Sequence, residues 1–196
     1  MVLLGCGGGG LYTGTVTALD DAVFLVLEAL RLLAADPPRA SVTAVATTQE
    51  EIGYTGGGAR TSAYTLDPQV ALVVDVTFST DVPDIDKKEL GEHEIGGGPV
   101  LSRGSAAHPV VFERLVAAAE REGIPYTIAA QARYTATDAD AIYLSRAGVA
   151  TGLISVPNRY MHSPNEVVSR SDLEQAARLI AAFIRDLEPD TDFIPR

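Results

Sequence analysis

The segment VALVVDVTF, residues 70–78, restricts the possible folds most strongly because it is apolar almost throughout. A strand with one wet face alternates apolar and polar residues, whereas a strand covered on both faces is continuously apolar. The segment therefore predicts a central strand with helices on both sides of its sheet. Asp75 interrupts this strand, and a carboxylate buried there requires a metal ion or hydrogen bonds to neutralise it.

Predicted strands and helices alternate along the rest of the chain. Apolar periodicity predicts strands at 2–6, 16–19, 41–47, 126–132 and 149–156, and helices at 20–35, 109–121, 138–146 and 171–187. This alternation predicts an α/β domain with three α/β/α layers and a mixed, mostly parallel sheet. Ligands of such folds bind beyond the carboxyl ends of the strands. The glycine runs at 56–58 and 96–98 read as turns.

Composition narrows the class of protein. A length of 196 residues predicts a single domain, and no apolar run is long enough to cross a bilayer. The net charge of -11 would repel a phosphate backbone, which argues against nucleic acid as a partner. Cys6 is the single cysteine, so no intrachain disulfide forms and a reducing cytoplasm is expected. The amino terminus carries no signal-peptide pattern.

Acidic residues and one imidazole follow predicted strands, or lie toward the end of one in the case of Asp75, at four places. They are Asp20, the pair Glu50 and Glu51, Asp75 and His162. Carboxylate oxygens and imidazole nitrogens are the ligands of hydrolytic Zn²⁺ or Co²⁺ sites. Because successive residues of an extended chain point to opposite sides, one glutamate can bind a metal while its neighbour serves as general base.

Each of these groups also has an ordinary structural interpretation. The two glutamates fit a solvated loop, Asp20 fits a helix N-cap, and His162 fits a hydrogen-bonded surface histidine. A purely structural role is weakest for Asp75, because a carboxylate among apolar neighbours is costly to bury without a partner.

Four segments resemble the tetrahedral or glutamyl aminopeptidases, co-catalytic metallopeptidases that are sometimes labelled endoglucanases. The segments are TALDD (17–21), TTQEEIGYTGGGARTSAY (47–64), VALVVDVT (70–77) and TDADAIYLSRAGVATGLISVPNRYMHSPNEVV (137–168). The resemblance spans residues 12–188 and implies a zinc-peptidase type of fold with two metal ions. It also implies that the substrate is a peptide.

The resemblance assigns a role to each candidate residue. Asp20 corresponds to the aspartate that bridges the two metals. Glu50 corresponds to the general base and Glu51 to a metal ligand. Asp75 corresponds to a ligand of the second metal, and His162 joins the site of Glu51.

Two departures from the family pattern affect these expectations. The family usually has two glycines before the Thr-Asp pair, whereas this chain has Ala136 there, which affects contacts on the substrate side. The segment Gly7–Gly10 stands where the family has a His-x-Asp pair and an inserted β domain that drives assembly. We therefore predict that these glycines are a splice, engineered or natural, that replaces a ligand histidine and the insertion together.

The sequence leaves three functions open. The first is a metal-dependent aminopeptidase, impaired by the missing histidine, with one or no tightly bound metal and a monomeric or small oligomeric state. The second is a shortened, non-catalytic scaffold of the same fold. The third is a related zinc carboxypeptidase or deacylase, which a requirement for a free substrate amino terminus would exclude.

Overall fold

The computed structural model of the chain describes residues 2–6, 18–51 and 56–195, and for 2–6 and 18–21 only the backbone. The predicted splice at Gly7–Gly10 lies outside these residues. The strands are β1 (Val2–Cys6), β2 (Val42–Ala46), β3 (Val70–Phe78), β4 (Val100–Gly104), β5 (Thr127–Gln131), β6 (Ala150–Arg159) and β7 (Val167–Val168). The helices are α1 (Ala18–Ala35), α2 (Gly57–Leu66), α3 (Lys87–Leu90), α4 (Pro109–Glu122), α5 (Ala139–Ile142) and α6 (Arg170–Arg185).

The described strands form one mixed sheet in the order β2-β1-β3-β6-β4-β5, with β7 paired to β6. Strands β2, β1, β3 and β6 are mutually parallel, so their carboxyl ends meet at one edge. Strands β4 and β5 are parallel to each other, and β4 runs antiparallel to β6. Asp75 of β3 is paired in register with Ser155 of β6.

Helices cover both faces of this sheet. Val70, Leu72 and Val74 belong to the core that includes residues of α1, α4 and α6. Ala71 and Val73 belong to a smaller core with residues of α2 and α5. Alternate residues of β3 thus enter opposite cores, as the period of a strand requires. The predicted three-layer α/β/α fold is confirmed.

Two of the predicted elements are wrong in kind or length. The strand predicted at 16–19 does not form at its carboxyl end, because Ala18 and Leu19 already belong to α1. The helix predicted at 138–146 ends at Ile142. Arg146 has a left-handed backbone (φ 53°), and its Nε atom donates to the Tyr64 carbonyl at 2.5 Å. This tertiary contact belongs to a turn that leads into β6.

The glycines at 56–58 have a different role from the predicted turn. Gly56 is the N-cap of α2, and Gly57 and Gly58 form its first residues. The sequence patterns also gave no prediction of α2, α3, β4 or β7. None of the helices in the described ranges has both the length and the apolar composition that a bilayer crossing requires.

Candidate metal and catalytic site

Four of the predicted site residues, Glu50, Glu51, Asp75 and His162, lie toward the end of the sheet where the parallel strands finish. Glu50 and Glu51 follow β2, and Asp75 lies near the end of β3. His162 follows β6, and its Nε2 atom lies 3.3 Å from Oε1 of Glu51. The fold therefore brings together residues that are 111 positions apart in the sequence.

The turn after β2 carries the two glutamates and is held against the start of α2. Gln49 adopts a left-handed conformation with φ 66°, and the Gly58 amide donates to the Thr48 carbonyl at 2.9 Å. A Cβ atom added at Gly58 would lie 2.6 Å from the Thr48 nitrogen, and one at Gly56 would lie 2.2 Å from Cβ of Ala141. The glycines permit this close approach, since a side chain at either position would clash.

The loop after β6 carries His162. Tyr160 and His162 both have left-handed backbones, with φ 61° and 62°. The amide of His162 donates to Oε1 of Glu166 at 2.5 Å. At the start of the loop, Nε of Arg159 donates to Oδ1 of Asp81 at 3.0 Å. This ion pair joins the end of β6 to the segment that follows β3.

Burial and neighbouring negative charges raise the pKa values of Glu50 and Asp75. The pKa of Glu50 is raised from 4.5 to about 7, first by burial and then by the charges of Glu51 and Asp138. Burial and the charge of Glu50 likewise raise the pKa of Asp75 well above its usual range, although the Val76 amide opposes the rise by donating to Oδ1 at 2.7 Å. Ionisation of Glu50 and Asp75 at neutral pH is therefore opposed by burial and by the negative charges around them.

Asp138 belongs to the same cluster, but no role was predicted for it. Its side chain is 3% exposed, and Oδ2 accepts a hydrogen bond of 2.5 Å from Oγ1 of Thr47. Burial raises the pKa of Asp138, and the bond from Thr47 opposes the rise. Both residues lie in segments quoted for the family resemblance. The signal that could have found Asp138 is an acidic residue directly before the apolar positions Ala139 and Ile142.

Asp20 stands third in α1, so the predicted N-cap alternative does not hold for it. Its side chain is not among those described. Within residues 22–51 and 56–195, no three histidine, cysteine, aspartate or glutamate side chains already form a metal-binding group.

The potential ligand atoms among the described residues nevertheless suit a divalent cation. Glu51 and His162 offer an oxygen and a nitrogen 3.3 Å apart, which are ligand types of zinc and of related ions. The neighbouring charges that raise the pKa values of Glu50 and Asp75 are all negative. A cation at this edge would relieve that repulsion.

Comparison with known proteins identifies similar sequences and folds. A family profile described as M42 glutamyl aminopeptidase matches residues 13–179. The lysyl aminopeptidase of Pyrococcus furiosus is 36% identical over 179 residues, which cover 90% of this chain and 49% of that protein. The TET aminopeptidase from a marine sediment archaeon of the Thaumarchaeota is 31% identical, with a TM-score of 0.78 over 87% of this chain and 48% of its own.

A further solved structure is the TET1 peptidase of Pyrococcus horikoshii, which can assemble into a tetrahedron or a large octahedral shell. It is 28% identical, with a TM-score of 0.66 over 85% of this chain and 48% of its own. The chain thus spans about half the length of the relatives that it matches.

Proposed function

The chain belongs to the M42 glutamyl aminopeptidase family, and we propose that it is the catalytic domain of a metal-dependent aminopeptidase that removes amino-terminal residues from peptides. The observation that carries this proposal is the contact of Glu51 with His162, beside a neighbouring glutamate whose pKa is about 7. A pair of metal-ligand types next to a group that can exchange a proton at neutral pH suits metal-dependent peptide hydrolysis.

Glu51 and His162, together with Asp20, would hold one divalent cation, and Asp75 with Asp20 would contribute to a second. The chemistry that zinc or cobalt supplies when bound is polarisation of the scissile carbonyl and activation of water. The Oε1 of Glu51 and Nε2 of His162 face each other across 3.3 Å, so one ion could contact both after small side-chain movements.

Glu50 is proposed as the general base. It is half-buried beside Glu51, and its raised pKa places proton uptake and release near neutral pH. Its carboxylate would take a proton from the attacking water and return it to the leaving amine. A cation held by Glu51 and His162 would lower the pKa of Glu50 from that metal-free value, which would favour the ionised form that the first transfer needs.

The second cation site is proposed to be weak. The family resemblance places a ligand histidine at the position of Gly7, and glycine offers no donor atom in its side chain. Asp20 and Asp75 would then remain as two carboxylates with too few partners. We therefore propose that the chain binds at most one ion tightly and that its activity is low.

The assembly and the location of the protein are proposed from the sequence. If Gly7–Gly10 replace the inserted β domain, the surface through which that insertion drives assembly is missing, so we propose a monomer or small oligomer. A single cysteine, Cys6, favours a reducing cytoplasm.

The test is hydrolysis of a short peptide with a free amino terminus and of the same peptide with an acetylated amino terminus, each with added Zn²⁺ or Co²⁺. We expect release of the first residue from the free peptide alone. Glu50→Gln should lower turnover roughly 100-fold or more, whereas the exposed Glu113→Gln serves as the matched control and should not.

Cleavage of the acetylated peptide from its carboxyl end would support a carboxypeptidase instead. No cleavage of either peptide at saturating metal would support the non-catalytic scaffold.

A further inference from the structure

A buried hydrogen bond joins the end of β2 to the start of α5. Thr47 is 7% exposed and Asp138 is 3% exposed, and Oγ1 of Thr47 donates to Oδ2 of Asp138 at 2.5 Å. The two residues are separated by 91 positions in the sequence. A carboxylate in such a place is costly to bury without a partner, and the bond from Thr47 offsets part of that cost.

Asp138 does not have the usual role of an aspartate at a helix start. It occupies the N-cap position of α5, but its side chain forms no capping hydrogen bond. The start of α5 is held by its neighbours: Oγ1 of Thr137 accepts from the Ala139 amide at 3.2 Å, and Oδ2 of Asp140 accepts from the Ala136 amide at 2.9 Å. The carboxylate of Asp138 is therefore available to bond across to β2.

The bond to Thr47 lies at the start of the turn that carries Glu50 and Glu51. Thr47 is the first residue after β2, and the left-handed Gln49 and the two glutamates follow directly. At the next residue, the Thr48 carbonyl accepts a hydrogen bond of 2.9 Å from the Gly58 amide. The turn is thus fixed at consecutive residues, by a side chain at Thr47 and by the backbone at Thr48.

We propose that Asp138 is a positioning residue, which acts through Thr47 to hold the turn that carries Glu50 and Glu51. Its effect on catalysis rests on the proposed function, whereas its effect on the turn does not. A misplacement of about 1 Å in a catalytic group can lower a rate by roughly 100-fold. Loss of the bond should therefore lower kcat more than it alters KM.

The exchange rate of the Gly58 amide measures the turn directly, because that amide bonds to the Thr48 carbonyl. Hydrogen exchange followed by NMR on the metal-free protein would compare Thr47→Val, Thr47→Ser, Asp138→Ala and Asp138→Asn with the unchanged chain. Thr151→Val is the matched control: Thr151 is fully buried, and its Oγ1 donates to the Val149 carbonyl at 2.9 Å, at the start of β6 and away from the site. Rates are normalised to the slowest amides of α6, which report global unfolding.

We expect Thr47→Val and Asp138→Ala to speed normalised exchange at Gly58 by about tenfold or more, as the loss of an anchoring bond of about 1.5 kcal/mol would. Thr47→Ser and Asp138→Asn keep a donor and an acceptor, so both should stay within about threefold of the unchanged chain. If the unchanged chain hydrolyses peptides, Thr47→Val and Asp138→Ala should lower its kcat by roughly 10- to 100-fold with little change in KM.

Exchange at Gly58 that is equally unaffected in Thr47→Val and Thr151→Val would overturn the proposal. So would an Asp138→Asn variant as defective as Asp138→Ala, because the bond itself would then not be what matters. An unchanged chain with no peptidase activity would refute the proposed function alone, since the exchange result still decides whether Asp138 positions the turn.

Discussion

Replacing Glu50 with glutamine should make the metal-free protein more stable at pH 8, although it should leave stability at pH 4.5 nearly unchanged. Burial and the charges of Glu51 and Asp138 raise the pKa of Glu50 from 4.5 to about 7 in the folded protein. The folded state therefore binds this proton more tightly than the unfolded chain does. The stability that this bound proton contributes is complete below about pH 4.5 and is lost as the pH rises through about 7.

The size of the effect follows from the two pKa values. Each pH unit is worth about 1.36 kcal/mol, so a change from 4.5 to about 7 sets an upper limit of about 3 kcal/mol. Glu50 is only half-buried, and screening by solvent reduces the value to about 1 to 2 kcal/mol. Glutamine also removes a charge that raises the pKa of Asp75, which acts in the same direction.

The assay is urea unfolding with a chelator present, at pH 4.5 and at pH 8. The quantity of interest is the free energy of unfolding of Glu50→Gln minus that of the unchanged chain. We expect it to grow by about 1 to 2 kcal/mol between the two pH values, while the exposed Glu113→Gln should show little growth. A difference that is equal at both pH values would refute the conclusion that the ionised Glu50 side chain destabilises the folded protein at pH 8.

Three further predictions concern the metal, the loop before α5 and the assembly. Metal analysis after dialysis should find at most one equivalent per chain, lost in Glu51→Ala or His162→Ala; two retained equivalents would contradict a weak second site. Ala136→Gly should raise the free energy of unfolding by about 1 kcal/mol, because Ala136 has a left-handed backbone with φ 56°; thermal unfolding with no gain would show that this conformation is not strained. Light scattering should show a monomer or small oligomer, and a twelve-chain particle would disprove the assembly prediction.

Local pattern was sufficient to predict most of the core elements. The continuous apolar run at 70–78 predicted β3 with its observed bounds, and apolar periodicity predicted α4 and α6 to within about two residues. The predicted helix bounds were wrong, or a helix was missed, where contacts distant in sequence determine the backbone conformation. Helix α5 ends early at a turn in which Arg146 bonds to Tyr64, 82 residues away, and α2 begins with glycines that its packing requires.

The sequence by itself determined which chemical groups the candidate site offers. The residue types at Glu50, Glu51, Asp75 and His162 and their places at or after the ends of apolar strands are local properties, and they predicted a metal-dependent hydrolytic centre at the carboxyl edge of the sheet. Only the tertiary structure decided that Glu51 and His162 lie 3.3 Å apart, that the pKa of Glu50 is about 7, and that Asp138 bonds to Thr47. The physical reason is that proximity and burial depend on how strands distant in sequence are ordered in the sheet, and these two quantities set both hydrogen bonding and the energy of a charge.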